Sequence, residues 1–389
     1  MRPLTRTALI VGAGIGGLSA GIALRQAGWD IRIFERAALP GELGFGLGLA
    51  PNAMAALGEL GIADAVLARA FTPTRGELRR LDGTVLKRAE LPPGGLGGPM
   101  VLALRPALHG ALLEAVGLDE ISFSAEVTGF TMTGNRVTLQ IRQGGAGGLA
   151  EGDLLVGADG VNSVIRRALH PSQPPPQSSG IVAVRGAVDG ALHHLGDLSA
   201  ILYLGRGVES TLIRASDTGI YWYLSLAREL VPRGMQDPAA VLAHMTPRFD
   251  ATFRAVTSAT EELRYDELVD RDPLPFWGRG IVTLLGDAAH PLLPHTGQGA
   301  AQAIVDAVAL GKALSADDNV ERALRSYELE RRDKTDALLG QGRRTARVMR
   351  TTNPVVCYFR ELFVRLIPVK PFVKFYLRIN RRAGTDTTR

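Results

Sequence analysis

An apolar strand that runs directly into four closely spaced glycines leaves a chain few choices of fold. Residues 7–36, TALIVGAGIGGLSAGIALRQAGWDIRIFER, read as strand (9–11), glycine turn, helix (18–26) and strand (31–34). That is a βαβ unit at the very start of the chain, with Gly28 as the stop signal of its helix. Each glycine of Gly12-Ala-Gly14-Ile-Gly16-Gly17 has a physical task. Gly12 makes the turn, Gly14 lets a pyrophosphate approach the backbone, and Gly16 or Gly17 lets helix and strand pack closely. The helix start offers free N–H groups and a positive dipole end to phosphates. Glu35 ends the second strand about 20 residues on, where an acid binds ribose hydroxyls. The unit reads as a dinucleotide site, and its spacing fits NAD and FAD equally.

No second credible GxGxxG follows. Two other segments repeat the strand–glycine–helix pattern with an acid in the turn. LLVGADGVNSVIRRAL (154–169) passes through Gly157-Ala-Asp159-Gly160. IVTLLGDAAHPLLPHTGQGAAQAIVDAVAL (281–310) passes through Gly286-Asp287 and a glycine-broken loop into a helix from about residue 298.

The three segments, in this order, closely resemble the FAD-dependent aromatic-ring hydroxylases, the group A flavin monooxygenases of the p-hydroxybenzoate hydroxylase fold. Further matches are ER at 35–36, PNAMAALGELG at 51–61, Arg105 before a helix, and DRDPLPFW at 270–277. The resemblance implies an α/β fold: a Rossmann-like FAD-binding domain, an interleaved antiparallel-sheet substrate domain, and C-terminal helices. It also implies that Asp287, after Gly286, accepts hydrogen bonds from the ribityl chain of FAD. The loop through Pro294 would run past the isoalloxazine ring, with Gly297 and Gly299 letting the backbone lie against it. The helix from about residue 298, with Gly299 and Ala300 near its start, would aim its positive end at the N1–C2=O edge and stabilise reduced flavin. Arg36 and Arg105 would lie near the pyrophosphate or adenosine, and Asp159 would contact FAD; the plainer reading of Asp159 is a cap on the next helix.

The same resemblance implies a cycle. NADPH or NADH docks transiently and reduces FAD, O2 adds at flavin C4a, and the hydroperoxide hydroxylates an aromatic or polycyclic small molecule. A flavin epoxidase or reductase acting on an isoprenoid or quinone-like substrate is the alternative on the same fold. Substrate would meet the sheet of residues 181–227, whose polar and aromatic candidates are Arg185, Tyr203, Arg214, Tyr221, Trp222 and Tyr223. Alternation puts Tyr221 and Tyr223 on one face and Trp222 on the other, without saying which meets the flavin. Arg185, Tyr223 and His295 are the candidate catalytic residues. GELGFGLGLAPNA (41–53) matches the family's mobile active-site loop but holds no arginine, which leans toward a larger, less charged substrate.

No metal site is expected. His290 and His295 are five apart with prolines between, whereas helical zinc pairs sit four apart and need a third ligand. His290 reads as structural.

The remaining strands and helices divide the chain. The linker PSQPPPQSSG (171–180) precedes a run of strands at 181–188, 200–204, 209–215 and 219–227, followed by a helical stretch at 238–256. Asp82-Gly83 signals a hairpin, Gly61 breaks the helices of 52–70, and GGAGG (144–148) reads as a loop. The expected FAD-binding domain comprises 1–71, 98–178 and 268–330; the substrate domain 72–97 and 179–267; the C-terminal helical region 331–389. One cysteine, Cys357, excludes an intrachain disulfide and fits a reducing cytoplasm. No leader peptide or membrane span is expected. The net charge of +5 is uneven: 17 Lys/Arg against 6 Asp/Glu from Arg322 onward, or +11, leave −6 for the rest. No nucleic-acid motif accompanies that basic tail. Its aromatic and basic stretch 357–382 is expected to dock on the protein body, with contact to a membrane surface as the alternative.

Overall fold

The computed structural model describes residues 6–40, 46–90, 100–294, 297–366 and 368. The N-terminal βαβ unit is the centre of a five-stranded parallel sheet. Thr7–Val11 lies between Asp30–Phe34 and Leu154–Gly157, with Val282–Leu284 and Ile121–Ser122 at the edges. Thr7–Val11 and Leu154–Gly157 are near-continuous apolar runs, as for strands covered on both faces, whereas Asp30–Phe34 alternates, with Asp30 and Arg32 exposed. Helices Ile15–Gln26 and Gly299–Ala316 pack on one another and share this core. Helices Pro51–Glu59 and Arg105–Val116 each carry a proline in the first turn, where its missing N–H costs nothing.

A seven-stranded sheet stands beside this domain. Its order is Leu263–Asp270, Gln177–Asp189, Gly219–Ala227, Val208–Arg214, Ala200–Gly205, Arg75–Arg80, Val85–Glu90. The last two strands are the hairpin expected at Asp82-Gly83, and they join through a parallel pairing with Ala200–Gly205. A segment from before residue 100 thus completes a sheet made mostly after residue 176.

One face of this sheet packs on helices Pro238–Met245 and Ala251–Ser258 to form a second core. Trp222 is fully buried there, its indole N–H donating to Thr260 Oγ1 at 2.8 Å. Tyr203 points the same way and donates to Asp250 Oδ1 at 2.9 Å. Both residues are therefore withdrawn from the list of substrate-side candidates.

Three local expectations are corrected. The helical stretch 238–256 is two helices, because Asp250 caps a new one by accepting the Phe253 N–H at 2.9 Å. In GGAGG only the first two glycines turn; from residue 146 the chain is a strand, Ala146–Gly152, paired with Arg136–Gln143. The linker is shorter than expected, since a strand already begins at Gln177.

The C-terminal helix Val320–Met349 is fastened to the first domain by charge. Arg331 and Asp306 are both fully buried and meet at 2.7 Å. Asp306 also receives His290 Nε2 at 2.5 Å, and Arg331 Nη2 donates to Gln302 Oε1 at 2.5 Å. Burial works against the Asp306 charge, but His290 and Arg331 outweigh it and hold the carboxyl below its ordinary 3.8. Removing one partner of such a pair strands the other charge. Arg331→Met is expected to cost about 3–5 kcal/mol in urea unfolding at neutral pH. Because the folded carboxyl titrates below the unfolded one, the Asp306 contribution is complete above pH 3.8 and is lost as pH falls through the lower folded value. The deficit of Arg331→Met against wild type should shrink in that acidic window, read from paired unfolding curves.

Candidate active site

The glycine turn leaves no room for side chains where the chain doubles back. Gly12 has φ +101°, and a Cβ on it would lie 2.5 Å from the Ala158 carbonyl oxygen. A Cβ on Gly17 would lie 1.9 Å from the Gly12 carbonyl oxygen, so Gly17 belongs to the turn itself. Gly16 does the close packing: its Cβ would meet Leu285 at 2.9 Å and Ala303 at 3.3 Å, both in the third segment. Gly14 differs from all of these, with no protein atom within 4 Å of a Cβ. It precedes helix Ile15–Gln26, whose start no side chain caps. Open space and uncapped amides suit an anion.

The turn is braced from two sides. The Glu35 carboxylate accepts the N–H of Ala13 and of Ala37, each at 2.8 Å. His109 Nε2 lies 2.8 Å from the Ala13 carbonyl oxygen, and since a carbonyl only accepts, this nitrogen carries the proton. His109 is buried on helix Arg105–Val116. Sequence reasoning missed it; the one signal was a histidine on an apolar helix face. Arg36 is exposed beside Glu35.

The N-cap of the next helix is Ser163, whose Oγ accepts the Arg166 N–H at 2.8 Å, and not Asp159; Asp159 Oδ2 instead accepts the N–H of Val164, the first residue of that helix, at 2.6 Å. Its other oxygen, Oδ1, is buried without a protein partner, and burial raises the carboxyl above its ordinary value. Arg166, also missed, is 1% exposed and donates to the carbonyls of Ala288 and Ala289 at 2.9 and 3.0 Å. It ties the second segment to the third. With burial, and with Arg271 nearby, its guanidinium is pushed down to about 10.

The third segment turns at Gly286, φ +61°, whose N–H donates to Asp306 Oδ2 at 3.1 Å. Asp287 follows on the outside of this turn. It is exposed at its surface, with His290, Arg105 and Asp306 near enough for their charges to act on it. Desolvation by the protein around it raises its carboxyl; His290 and Arg105 oppose the rise and Asp306 adds to it. Arg105 therefore acts on Asp287 from the start of its helix. Pro294 and Gly297 are exposed and linked by a Gly297 N–H to Pro294 O bond of 2.9 Å. Gly299 and Ala300 open helix Gly299–Ala316, again with no side-chain cap. The preceding Gln298 is buried, accepting from Gln302 at 3.0 Å and from Asn52 at 3.2 Å. His295 lies outside the described residues. His290 is structural, paired with Asp306 and 5.2 Å from the Trp277 ring.

The third segment meets the second face of the seven-stranded sheet. Leu293 of the third segment packs on Ile181 and Ala183 of that face. Arg185, Tyr223 and Thr211 stand opposite one another on adjacent strands, so they share it. Tyr221 lies one step along, its ring 6.4 Å from that of Tyr223. Gly46 approaches Tyr221 so closely that a Cβ would sit 2.4 Å from the ring. Burial pushes the Tyr221 phenol up to about 12, with Arg185 and Arg105 opposing and Asp266 assisting. Tyr223 donates to Glu209 Oε1 at 2.9 Å and is also raised, chiefly by burial. Asp266 lies 3.6 Å from Arg185 and 2.8 Å from Arg264. Arg214 stacks on the Phe71 ring at 4.3 Å.

The chain matches a family model described as FAD binding domain over residues 5–341. It is 31% identical over 368 residues to the aurachin C monooxygenase/isomerase of Stigmatella aurantiaca, covering 93% of this chain and 94% of that one. It is 33% identical to the phenazine 1,6-dicarboxylic acid hydroxylase PhzS of Lysobacter antibioticus, covering 88% and 91%. The structure of Klebsiella pneumoniae HpxO complexed with FAD and uric acid superposes with a TM-score of 0.88 at 25% identity, covering 97% of each chain.

The two kinds of glycine should separate by experiment. Gly14→Ala meets no protein atom, so the apoprotein should unfold within about 1 kcal/mol of wild type while FAD affinity falls at least about tenfold. Gly17→Ala should fail to give folded protein. Thermal unfolding and flavin-fluorescence titration read the two effects; undiminished FAD binding by Gly14→Ala would place the pyrophosphate elsewhere.

Proposed function

The chain belongs to the FAD-binding-domain family of aromatic-ring hydroxylases, and from that premise we propose that it is an NADPH- or NADH-dependent monooxygenase that inserts one atom of O2 into an uncharged aromatic or polycyclic small molecule. FAD, when bound, supplies the redox chemistry: it accepts two electrons from the nicotinamide and activates O2. In this reading the seven-stranded sheet with the helices behind it forms the substrate side, the five-stranded sheet with its helices the flavin side, and helix Val320–Met349 supports the latter. The expected bounds 178/179, 267/268 and 330/331 each fall inside one continuous element, Gln177–Asp189, Leu263–Asp270 and Val320–Met349.

The residues present suit this cofactor. Gly14 and the uncapped helix behind it would take the pyrophosphate, and Glu35 the adenosine ribose alongside its two backbone bonds. A carboxylate has lone pairs for both. Arg36 and Arg105 would neutralise phosphate charge. The free Asp159 oxygen and the exposed Asp287 would accept flavin-chain or loop hydrogen bonds. Gly286, Pro294, Gly297, Gly299 and Ala300 would frame the ring, with the helix start presenting amides to its polar edge.

The substrate preference rests on one observation: charges on the sheet face are matched there. Arg185 and Arg264 share Asp266, and Glu209 is held by the Tyr223 hydroxyl. Such a face offers flat aromatic surface and hydrogen bonds, not a net cation for a carboxylate. Tyr223, donating to Glu209, keeps its oxygen lone pairs for a substrate hydroxyl, and Arg185 would orient the same end. Tyr221 lies beside them and, with the strand Gly46–Leu49 that closes on its ring, would exclude water.

Incubation with reduced nicotinamide, candidate aromatics and 18O2 should place one labelled atom in the product. Nicotinamide oxidation with unlabelled product would make it a reductase instead. Tyr223→Phe is expected to lower kcat/KM by about 3–10-fold, the worth of one hydrogen bond. Since burial keeps both phenols neutral beyond their ordinary value of 10.0, Tyr223→Phe should leave the alkaline limb of the pH–rate profile where it was.

A further inference from the structure

Helix Pro354–Leu366 has its polarity reversed. A helix resting on a protein body normally turns its apolar stripe inward. Here the inner side is Cys357, Arg360, Glu361 and Val364. Arg360 is 9% exposed and donates to the Gly205 carbonyl at 2.7 Å. Glu361 pairs with Arg80 at 2.6 Å, and Lys87 reaches the Val364 carbonyl at 2.5 Å. The outer side carries Val355, Tyr358, Phe359, Leu362, Phe363 and Leu366. Tyr358, Phe359 and Phe363 are 62%, 61% and 65% exposed. A contiguous apolar patch of this kind marks an interaction surface.

The charges around the patch say what fits it. Arg365 is exposed on the helix itself, and Arg347 and Arg350 at the end of the helix before it. Arg88 is exposed on the strand beneath, where its Nε pairs with Glu77 at 2.9 Å. The helix's own carboxylate, Glu361, faces inward and is matched. Residues 367–389 add six Lys/Arg against one Asp, interleaved with Phe372, Phe375, Tyr376 and Leu377. A second copy of the chain would bring one cationic rim against another. Folding residues 367–389 back onto the patch would do the same. A surface that is apolar within and anionic at its rim satisfies both features. Among the described residues no helix is long and apolar enough to cross a membrane, so the helix would lie on such a surface rather than span it.

We propose that helix Pro354–Leu366 docks on an anionic lipid bilayer. Its aromatic side enters the boundary between headgroups and acyl chains, and the arginines and lysines around it engage lipid phosphates.

The test uses the full-length, FAD-loaded protein and sedimentable vesicles of phosphatidylcholine, alone or with about a third phosphatidylglycerol. Binding to the anionic vesicles should be at least about tenfold tighter than to the neutral ones and weaken in high salt. Phe359→Ser combined with Phe363→Ser should lower that affinity at least about tenfold, with flavin absorbance and thermal midpoint unchanged. Should the double variant not fold, Phe363→Trp gives a second readout: its emission should shift to the blue and be quenched by brominated anionic lipid. Absent binding, equal binding to both vesicle types, or an unshifted tryptophan would overturn the proposal. So would a wild-type dimer that the double variant converts to monomer, which would assign the patch to a second copy.

Discussion

Asp306 carries a charge where no solvent reaches, and the way that charge is matched holds three distant parts of the chain in one arrangement. A lone buried carboxylate is too costly to persist. Here it receives Arg331 from the C-terminal helix, His290 from the third glycine segment, and the N–H of Gly286 from the turn where that segment begins. The segment from 286 to 306 is thereby closed on itself. A loop fixed at both ends has little conformational freedom left to lose when a ligand settles against it. Arg166 adds a second tie through the Ala288 and Ala289 carbonyls. The exposed acid, Asp287, is held by neighbours that face the interior.

Much of this was legible in the sequence because it is local. The three strand–glycine–helix segments, the hairpin at Asp82-Gly83 and the helix break at Gly61 each depend on residues within a few positions of one another. The outcome at Gly16 and Gly17 is finer than spacing can express: one packs on the third segment, the other makes room for the turn. The braces were not legible. His109 reaches across 96 residues to Ala13, and Arg166 across 122 to Ala288. Neither belongs to a pattern, and each looks like an ordinary member of its helix. The GGAGG stretch misled for the opposite reason. Its composition suggests a loop, but backbone pairing with Arg136–Gln143 makes it a strand without help from side chains.

The antiparallel sheet resolved a question that alternation could only pose. Period two separates Trp222 from Tyr221 and Tyr223 but does not name the inner face. The helices of 238–258 decide it, by giving Trp222 a core and Thr260 as a partner for its N–H. What remains faces the third glycine segment through Leu293, Ile181 and Ala183. Placement of Arg185 opposite Tyr223 then follows from register alone.

The nine residues of strand Gly219–Ala227 accordingly carry two independent inheritances. Even-numbered positions such as 222, 224 and 226 pack into the core behind the sheet, while odd-numbered 221, 223 and 225 lie on the opposite face, the one proposed to meet the substrate. Side chains of the second set can therefore be exchanged with little effect on the core behind the sheet.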